Sequence, residues 1–587
     1  STPQAASHSS QVPAQPNLDL KEKTPSSIVK RDGRVVPFDP KKIIEAVAHA
    51  GKDTGEFGRE EAAKLSYKVV EEVEAVYDGH ITPTVEQVQD LVEVILMRSK
   101  WVKTAKAYIL YREDHAKQRK ALRPVPEDVK QLALESKHYF RNQLAEFVYY
   151  STYSKWLPEA GRRETWLETV QRYIDFMEEN LGTKLTREEY SEIRKGMLNM
   201  EAFGSMRLLW GAGAAARATH VCAYNCSFIA PAAWVDFAEI MYVLMCGTGV
   251  GFSVERQTGE QLPQIRRQSG VKLFPHKVVD SKEGWGDSLK LGLATWAEGK
   301  DVEFDYSGVR PQGARLKTMG GRASGPGPLK SLLEFAREKL LSRQGRRLTT
   351  LDVHDIVCKI GEVVVMGGVR RSALISLSDL DDLEMREAKN GQFYLKHPER
   401  AMANNSAVYN EKPSLNLFLD EWVNLVKSGS GERGIFNRGS LEKQLPARRW
   451  PLFKPDAETS GTNPCGEIIL KSKQFCNLSQ VVVRADDTEE TLKQKVRLAT
   501  ILGTYQASLT KFPYLSQEWK KNCDEEALLG VSITGFWDCE LSRDPALLRQ
   551  LRELSVEVNR EYAGKLDINP STCVTSVKPA GNGSQLF

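Results

Sequence analysis

The segment Gly461-Thr462-Asn463-Pro464-Cys465-Gly466-Glu467-Ile468 is the most informative stretch of this sequence. In an extended backbone side chains alternate, so Asn463, Cys465 and Glu467 would point the same way over roughly 13 Å. The proline cannot donate to a sheet ladder and the following glycine permits close backbone approach, which predicts a loop or a strand end. The carboxylate beside the thiol is then placed to act as a general base on a bound substrate. The alternative is a structural turn with a buried cysteine.

Two further cysteines are candidates for a redox pair with this segment. Cys476 lies eleven residues after Cys465, and Cys226 lies far upstream. Separated cysteines can meet in a fold and exchange electrons as a dithiol and a disulfide. The competing interpretation of any single cysteine is a small buried hydrophobe, which we adopt for Cys246, Cys358, Cys523, Cys539 and Cys573. Cys222 and Cys226 do not predict zinc, because no second Cys/His pair at ligand spacing accompanies them.

Two glycine-rich loops are candidates for contact with phosphorylated ligands. Residues 309–329 combine many glycines with four cations, and residues 575–586 contain small residues that can present N–H groups to a phosphate at a helix start. Neither ends in Gly-Lys-Ser/Thr, so neither is a Walker A loop. Solvated surface loops are the alternative. Residues 247–251 lack the dinucleotide-binding spacing, and we interpret their glycines as close backbone packing.

The distribution of apolar, polar and charged residues along the chain predicts four regions. Residues 1–26 are poor in large apolar residues and predict a disordered tail. Residues 27–115 predict a small domain with strands at 27–30 and 35–38, followed by helices at 41–51, 60–77, 84–98 and 102–119; Asp39 is the expected N-cap of the first helix, with Pro40 at its first position. Residues 116–200 predict amphipathic helices. From 201 to 587, short apolar runs alternate with helices, which indicates an α/β architecture with buried strands.

Composition excludes several classes of protein. The 587 residues carry a formal net charge of only +4, too little to indicate a nucleic-acid coat. No apolar run of about 18 residues predicts a membrane span, and Ser1–Pro16 lacks the apolar core of a secretory signal. Nine cysteines are too few for a disulfide scaffold. We therefore expect a soluble, cytoplasmic, multidomain protein that binds neither nucleic acid nor membrane.

Taken together, these motifs resemble the large-subunit family of ribonucleotide reductases, and most closely its adenosylcobalamin-dependent (class II) triphosphate reductases. The resemblance covers residues 200–587 in order and rests on NCSF (225–228), GVGFSVE (249–255), EGWGDSL (283–289), RPQGARLKTMGGRASGPGPL (310–329), GGVRRSA (367–373), ANNSAVY (403–409), GERGIFN (431–437), NPCGEI (463–468), CNL (476–478) and VKPAGNGSQL (577–586). Residues 27–115, with VKRDG at 29–33, resemble the family's N-terminal ATP-cone. Pro464 and Gly466 resemble the cobalamin-dependent branch, since the iron- or manganese-dependent branch usually has Leu before the cysteine.

The resemblance implies a ten-stranded α/β barrel with a finger loop through its centre. Cys465 at the loop tip would carry a thiyl radical that removes the ribose 3′-hydrogen. Glu467 would take the 3′-OH proton, and Asn463 would hydrogen-bond the sugar hydroxyls. Cys226 and Cys476 would supply two electrons and become a disulfide as the 2′-OH leaves as water.

The resemblance also implies nucleotide contacts and partners. The implied substrate contacts are Asn225, Ser205, Lys578, Pro579, Ala580 and Gly581; the effector loop has Arg310, Gln312, Arg315 and Lys317; the ATP-cone contacts are Val29, Lys30, Arg31 and Lys42. Adenosylcobalamin is the implied cofactor. The implied allosteric effectors are ATP, dATP and other deoxynucleoside triphosphates. The implied reductant is thioredoxin or a similar dithiol. Relatives continue beyond the position of Phe587 with the last barrel strands, part of the cobalamin site and a cysteine pair, so we expect this chain to need that C-terminal remainder as a partner.

Two alternatives stay open at this point. One is a catalytically incomplete chain that binds ATP or dATP through its cone without turnover. The other is a class I large subunit that needs a separate radical-generating subunit. Dependence of the activity on cobalamin separates the second alternative from the class II interpretation.

Overall fold

The computed structural model describes residues 24–31, 33–77, 82–121, 127–314, 323–366 and 373–587. The chain divides into two compact units, one formed by residues up to Val125 with the short segment Pro311–Ala314, the other by Pro126–Arg310 and Arg315–Phe587. Most of the predicted tail, residues 1–23, lies outside the described residues.

The first unit is a β-hairpin with four helices. Its elements are β1 (Ser27–Val29), β2 (Val35–Pro37), α1 (Lys41–Thr54), α2 (Arg59–Tyr77), α3 (Val85–Arg98) and α4 (Val102–Ala121). The strands are antiparallel with Ile28 opposite Val36, and the helices bury one apolar core. The predicted elements agree within a few residues. The predicted N-cap is wrong by one position: Pro40 caps α1, while the Asp39 carboxylate accepts a hydrogen bond from the Lys41 N–H at 3.1 Å.

The second unit is a mixed α/β structure. Its strands are β3 (Trp156–Leu157), β4 (Arg162–Arg163), β5 (Ala202–Phe203), β6 (Cys226–Ile229), β7 (Gly249–Ser253), β8 (His276–Lys277), β9 (Phe304–Asp305), β10 (Leu374–Asp379), β11 (Ala403–Val408), β12 (Gly434–Phe436), β13 (Gly461–Thr462), β14 (Ile469–Leu470), β15 (Gln474–Cys476), β16 (Ser479–Val482) and β17 (Val531–Thr534). Strands and helices alternate along this unit, so the predicted α/β class is confirmed.

The helices of this unit cover the sheets. They are α5 (Glu127–Lys137), α6 (Gln143–Val148), α7 (Trp166–Leu181), α8 (Arg187–Leu198), α9 (Met206–Gly211), α10 (Ala214–Ala218), α11 (Trp234–Met245), α12 (Arg256–Gly259), α13 (Lys282–Ala297), α14 (Gly327–Ser342), α15 (Thr350–Met366), α16 (Leu383–Glu387), α17 (Leu415–Ser428), α18 (Leu441–Gln444), α19 (Trp450–Phe453), α20 (Glu489–Ala507), α21 (Gln517–Glu526), α22 (Pro545–Leu566) and α23 (Gly583–Leu586). Helices α11, α13, α14 and α15 pack on one another, as do α20 and α22.

Two sheets form the framework around the site. The larger has the strand order β12-β11-β10-β7-β6-β15, in which the first five strands are parallel and β15 runs antiparallel to β6. The smaller has the order β17-β16-β5. Strands β6 and β7 are buried along their whole length, which is why their sequences are continuously apolar or small instead of alternating.

The larger sheet separates two cores. One face carries a large apolar cluster under the helices. The other faces a small cluster that includes Cys226, Phe228, Leu470 and Cys476. Because successive strand residues point to opposite faces, Phe228 belongs to the small cluster and its neighbour Ile229 to the large one. The small cluster surrounds the segment that the sequence singled out. Within the described ranges, no helix is long and apolar enough to cross a membrane.

Candidate active site

Residues 461–470 fold as a short β-hairpin with Cys465 at its tip. The Gly466 N–H donates to the Asn463 carbonyl at 2.9 Å, and the Ile468 N–H donates to the Asn463 side-chain oxygen at 3.0 Å. Gly466 has φ +85°, a conformation that favours glycine. The extended-backbone expectation is therefore wrong: the chain reverses here because Asn463 bonds across the turn, and strand alternation does not apply to the tip.

The hairpin packs against β6 and β7 at two glycines. A Cβ atom at Gly251 would lie 1.9 Å from the Thr462 carbonyl oxygen, and one at Gly461 would lie 2.1 Å from the Phe228 ring. No side chain fits at such distances. The close backbone packing predicted for residues 247–251 is thus confirmed at Gly251, and it seats the hairpin directly on the sheet.

Three free thiols meet at this hairpin. Cys226 on β6 and Cys476 on β15 are directly opposite each other in antiparallel register. Opposed residues on antiparallel strands have Cα atoms about 4.5–5.5 Å apart, within the range that a disulfide spans. Both are buried, whereas Cys465 is exposed. The Cys226 thiol interacts with both of the other thiols, so it lies between them.

Two of the three thiols, Cys226 and Cys465, have raised pKa values. The hydrogen bond from Cys465 lowers the pKa of Cys226, but contact with Cys476 and burial outweigh it and raise that pKa well above its ordinary value. Hydrogen bonding with Cys226 raises the pKa of Cys465 far above its ordinary value as well. Cys226 and Cys465 therefore keep their hydrogen atoms at neutral pH. That state suits hydrogen-atom and dithiol chemistry, whereas a nucleophilic cysteine needs a lowered pKa.

Among the residues that the structure describes, two polar atoms beside the thiols have no hydrogen-bond partner. The Asn463 side-chain nitrogen and one Glu467 oxygen are both buried without a hydrogen bond. Buried polar groups in proteins are nearly always bonded, so an orphaned pair marks a position where a ligand supplies the missing partners. The Asn463 nitrogen is a hydrogen-bond donor and the Glu467 oxygen is an acceptor. A sugar hydroxyl can accept from the first and donate to the second.

Lys578 is brought to the same cluster. Its ammonium donates to Gln480 Oε1 at 3.0 Å, and its backbone N–H donates to Ser532 Oγ at 2.9 Å. Burial lowers the pKa of Lys578 to about 8, although the nearby Glu467 and the three cysteines act in the opposite direction. The adjoining residues, Pro579, Ala580 and Gly581, form the turn that precedes α23, with Gly581 at φ +55°. Lys578 therefore stands next to the thiols as well as at the head of the small-residue loop.

Ser205 and Asn225 are also brought together. The Ser205 hydroxyl donates to Asn225 Oδ1 at 2.5 Å, and the Ser205 N–H donates to Gln506 Oε1 at 3.0 Å. Asn225 immediately precedes Cys226, so this pair borders the thiol cluster along the chain.

The predicted effector loop is only partly described. Arg310 forms an ion pair with Asp280 at 2.5 Å. Gln312 is exposed in a turn. Arg315 and Lys317 lie outside the described residues.

The first unit contains a cavity of about 290 Å³. It is lined by Arg31, Ala46, His49, Ala50, Asp53, Gln89, Ala107, Tyr108, Tyr111 and Arg112. Of the four predicted contacts, Arg31 lines it, Val29 is buried in the hairpin, and Lys30 and Lys42 lie elsewhere on the unit. Arg31 donates to Gln89 Oε1 at 2.5 Å. Arg112, which the sequence did not single out, contacts Glu86, Asp90 and Glu93.

The remaining cysteines are mostly placed as small apolar residues, but Cys246 accepts a hydrogen bond from Lys282 Nζ at 3.4 Å, and the Cys358 sulfur lies 3.6 Å from His354 Nε2. Cys246, Cys358, Cys523 and Cys539 are buried and Cys573 is half-buried. Cys222 belongs to the large core cluster and Cys226 to the small one, so they do not share a site.

Two buried arginines that contact the hairpin could not be identified from the sequence. Arg438 pairs with Glu255 and bonds Ser460, and Arg449 pairs with Glu526 and bonds Ile469. Arginines are usually exposed, and nothing in the local pattern around these two distinguishes them from surface residues.

Comparison with known proteins gives a consistent picture. The ATP cone domain matches residues 26–117, and the ribonucleotide reductase alpha domain matches residues 127–214. An adenosylcobalamin-dependent ribonucleoside-triphosphate reductase of Lactobacillus leichmannii is 28% identical over 545 residues, covering 76% of this chain and 72% of the relative. One from Euglena gracilis is 27% identical over 465 residues, covering 75% and 62%.

A solved structure shares the fold. The crystal structure of a B-12 dependent (class II) ribonucleotide reductase matches with a TM-score of 0.63 and 23% identity, covering 78% of this chain and 76% of that one. At this identity the likeness shows the fold, an α/β barrel of the same type.

Proposed function

We propose that this chain, which belongs to the ribonucleotide reductase family, reduces ribonucleoside triphosphates to 2′-deoxyribonucleotides with adenosylcobalamin as cofactor. The observation that carries the proposal is the meeting of three free thiols, at the Cys465 hairpin and the strands beside it, with an amide nitrogen and a carboxylate oxygen that have no hydrogen-bond partner among the described residues. The same cofactor and substrate class appear in the names of the similar reductases.

Cys465 is proposed to carry the radical. It is the exposed member of the three thiols, and a Cβ built at the neighbouring Gly466 meets no atom within 4 Å. The tip is therefore open at these two residues. Adenosylcobalamin held on this side would supply radical chemistry, and the Cys465 thiol would give up its hydrogen atom. The Cys465 thiyl would remove the ribose 3′-hydrogen and would return it to the 3′-carbon once the 2′-carbon has been reduced, which regenerates the thiyl.

Glu467 and Asn463 are proposed to bind and deprotonate the sugar. The unpaired Glu467 oxygen accepts the 3′-OH proton once the 3′-carbon is a radical, and the Asn463 amide donates to a sugar hydroxyl. Because both atoms are buried, water competes with the substrate weakly at these positions.

Cys226 and Cys476 are proposed to supply the two electrons. The 2′-OH leaves as water, the two thiols give up two electrons and two protons, and a disulfide forms between them. The sugar carbon gains hydrogen in place of hydroxyl, so the reaction balances as ribonucleotide plus dithiol to deoxyribonucleotide, disulfide and water. Their cross-strand register permits this bond with little backbone movement. Thioredoxin or a similar dithiol then reduces the disulfide.

Lys578 and the following turn are proposed to hold the substrate phosphates, with Ser205 and Asn225 at the other side of the thiols. An ammonium with a pKa of about 8 is charged at neutral pH and becomes more so beside a phosphate. The cavity of the first unit, with Arg31 and Arg112, is proposed to bind ATP or dATP as an activity effector. The 310–329 loop is proposed to respond to the binding of a deoxynucleotide effector.

The test is formation of deoxynucleotide from CTP and ATP with adenosylcobalamin and excess small dithiol, which replaces thioredoxin. We expect product that requires the cofactor and disappears in Cys465→Ser. The matched control is Cys539→Ser, a buried core cysteine whose thiol donates to the backbone carbonyl of Asp487 at 3.8 Å. Product without adenosylcobalamin, or equal loss in both variants, would refute the proposal.

A further inference from the structure

We propose that two buried arginine–glutamate pairs, Arg438–Glu255 and Arg449–Glu526, are positioning residues that clamp the two arms of the Cys465 hairpin and so fix the thiol against Cys226. The inference rests on the proposed function for its meaning in catalysis. The contacts that support it all lie within this chain.

The first arm is held at Ser460. The Arg438 side chain donates to the Ser460 carbonyl at 2.7 and 3.2 Å, and to the two Glu255 oxygens at 2.7 Å each. A further bond to Asn410 at 3.1 Å occupies the remaining N–H, so all five donors of this guanidinium are used. Glu255 follows β7 and is fixed by the Ser253 hydroxyl at 2.8 Å. The first arm is therefore tied to the larger sheet.

The second arm is held at Ile469. Arg449 donates to the Ile469 carbonyl at 2.9 Å and to the two Glu526 oxygens at 2.8 and 3.1 Å. Glu526 ends α21 and also accepts from Gln474 at 2.8 Å, next to the strand position of Cys476. Burial raises the pKa of Glu526, but Arg449 outweighs it and keeps that pKa below its ordinary value, so the pair is charged. The second arm is tied to a different element from the first.

The hairpin needs contacts beyond its own strand pairing to hold its position. Its strands are two residues long, and an isolated two-stranded hairpin is marginally stable at best. Both pairs are buried, with exposures of 7% and 1% for Arg438 and Glu255, and 1% and 0% for Arg449 and Glu526. Burying ions costs free energy that an apolar pair would not, so ion pairs are a poor means of stability alone. Here the two arginines also position the hairpin, because each guanidinium donates to a backbone carbonyl on one arm.

The matched control is a third pair of the same kind. Arg433 and Glu421 are 1% and 3% exposed and make two bonds of 2.8 Å. The remaining Arg433 donors go to residues at the end of β10 and just after it, none of which belongs to the hairpin. Loss of this pair tests what removing a buried arginine does by itself.

The experiment compares Arg438→Met, Arg449→Met and Arg433→Met in the whole chain. The first readout is alkylation of Cys465 by iodoacetamide at pH 8, followed by peptide mass spectrometry, without cofactor or substrate. Contact with Cys226 raises the Cys465 pKa, so a loosened hairpin lowers it toward the ordinary value. Each unit of that change raises the thiolate fraction and the alkylation rate about tenfold. The second readout is kcat and KM with nucleotide.

We expect faster alkylation, by about tenfold or more, in the Arg438 and Arg449 variants and not in Arg433→Met. We also expect kcat to fall about 10- to 100-fold with KM nearly unchanged, because the reacting atom is displaced. Equal alkylation rates in all three variants overturn the proposal. If a Met variant fails to fold, Arg438→Lys or Arg449→Lys, which keeps the charge and loses the fork, decides by the same comparison. Absence of nucleotide reduction in the unmodified chain would refute the proposed function but leave the alkylation result standing.

Discussion

Replacing Gly251 with alanine tests whether the hairpin is seated on β7 as described. The added Cβ would lie 1.9 Å from the Thr462 carbonyl oxygen and 3.1 Å from the Phe228 ring. Carbon–oxygen contacts begin at about 3.3 Å, so the hairpin arm has to move by about 1.4 Å. Overpacking of this kind typically costs about 1–3 kcal/mol of stability. A displacement of about 1 Å in a catalytic group can cost about 100-fold in rate.

We therefore expect Gly251→Ala to lower kcat about 100-fold, equivalent to about 2.7 kcal/mol of barrier, with a smaller effect on KM. The assay is steady-state deoxynucleotide formation, with thermal unfolding measured in parallel. The control is Gly284→Ala on α13, where the added Cβ would also meet a backbone carbonyl, that of Val279, at 2.4 Å. Wild-type kcat in Gly251→Ala, or the same loss in Gly284→Ala, would refute the reasoning.

Three further outcomes follow from the site. Prereduced protein without added dithiol should form about one deoxynucleotide per chain and then carry a Cys226–Cys476 disulfide, which mass spectrometry detects. Product beyond one equivalent in Cys476→Ser would exclude Cys476 as an electron donor. The KM for nucleotide should rise as pH rises through about 8, because Lys578 loses its positive charge above its lowered pKa, and this rise should vanish in Lys578→Met; an unchanged profile in that variant would assign the titration to another group. Arg31→Ala should weaken dATP binding measured by calorimetry on the whole chain, since Arg31 lines the cavity of the first unit; undiminished binding would place the effector elsewhere.

The local elements of the first unit could be read from the sequence with little error. Apolar residues recur there at helical spacing, and Thr84 with Gln87 forms a capping box at the start of α3, so short-range rules suffice. Even so, the rule that favours aspartate at the N-cap selected Asp39, one residue before the observed N-cap, Pro40.

The sequence also determined which residue types are present for the chemistry: an amide, a thiol and a carboxylate within five positions, and two distant cysteines. It determined the α/β class through its alternation of buried strands and helices. These properties depend on composition and on contacts between residues close in the chain, which periodicity and turn chemistry record directly.

Only the tertiary structure decided how these groups meet. The reversal at Gly466, the register that opposes Cys226 to Cys476, and the approach of Lys578 join residues that are up to 352 positions apart. The two arginine clamps likewise depend on partners from separate elements. Local patterns hold no information on such pairings, because their geometry follows from sheet order and from the close packing of the hairpin against glycine, which are properties of the folded chain as a whole.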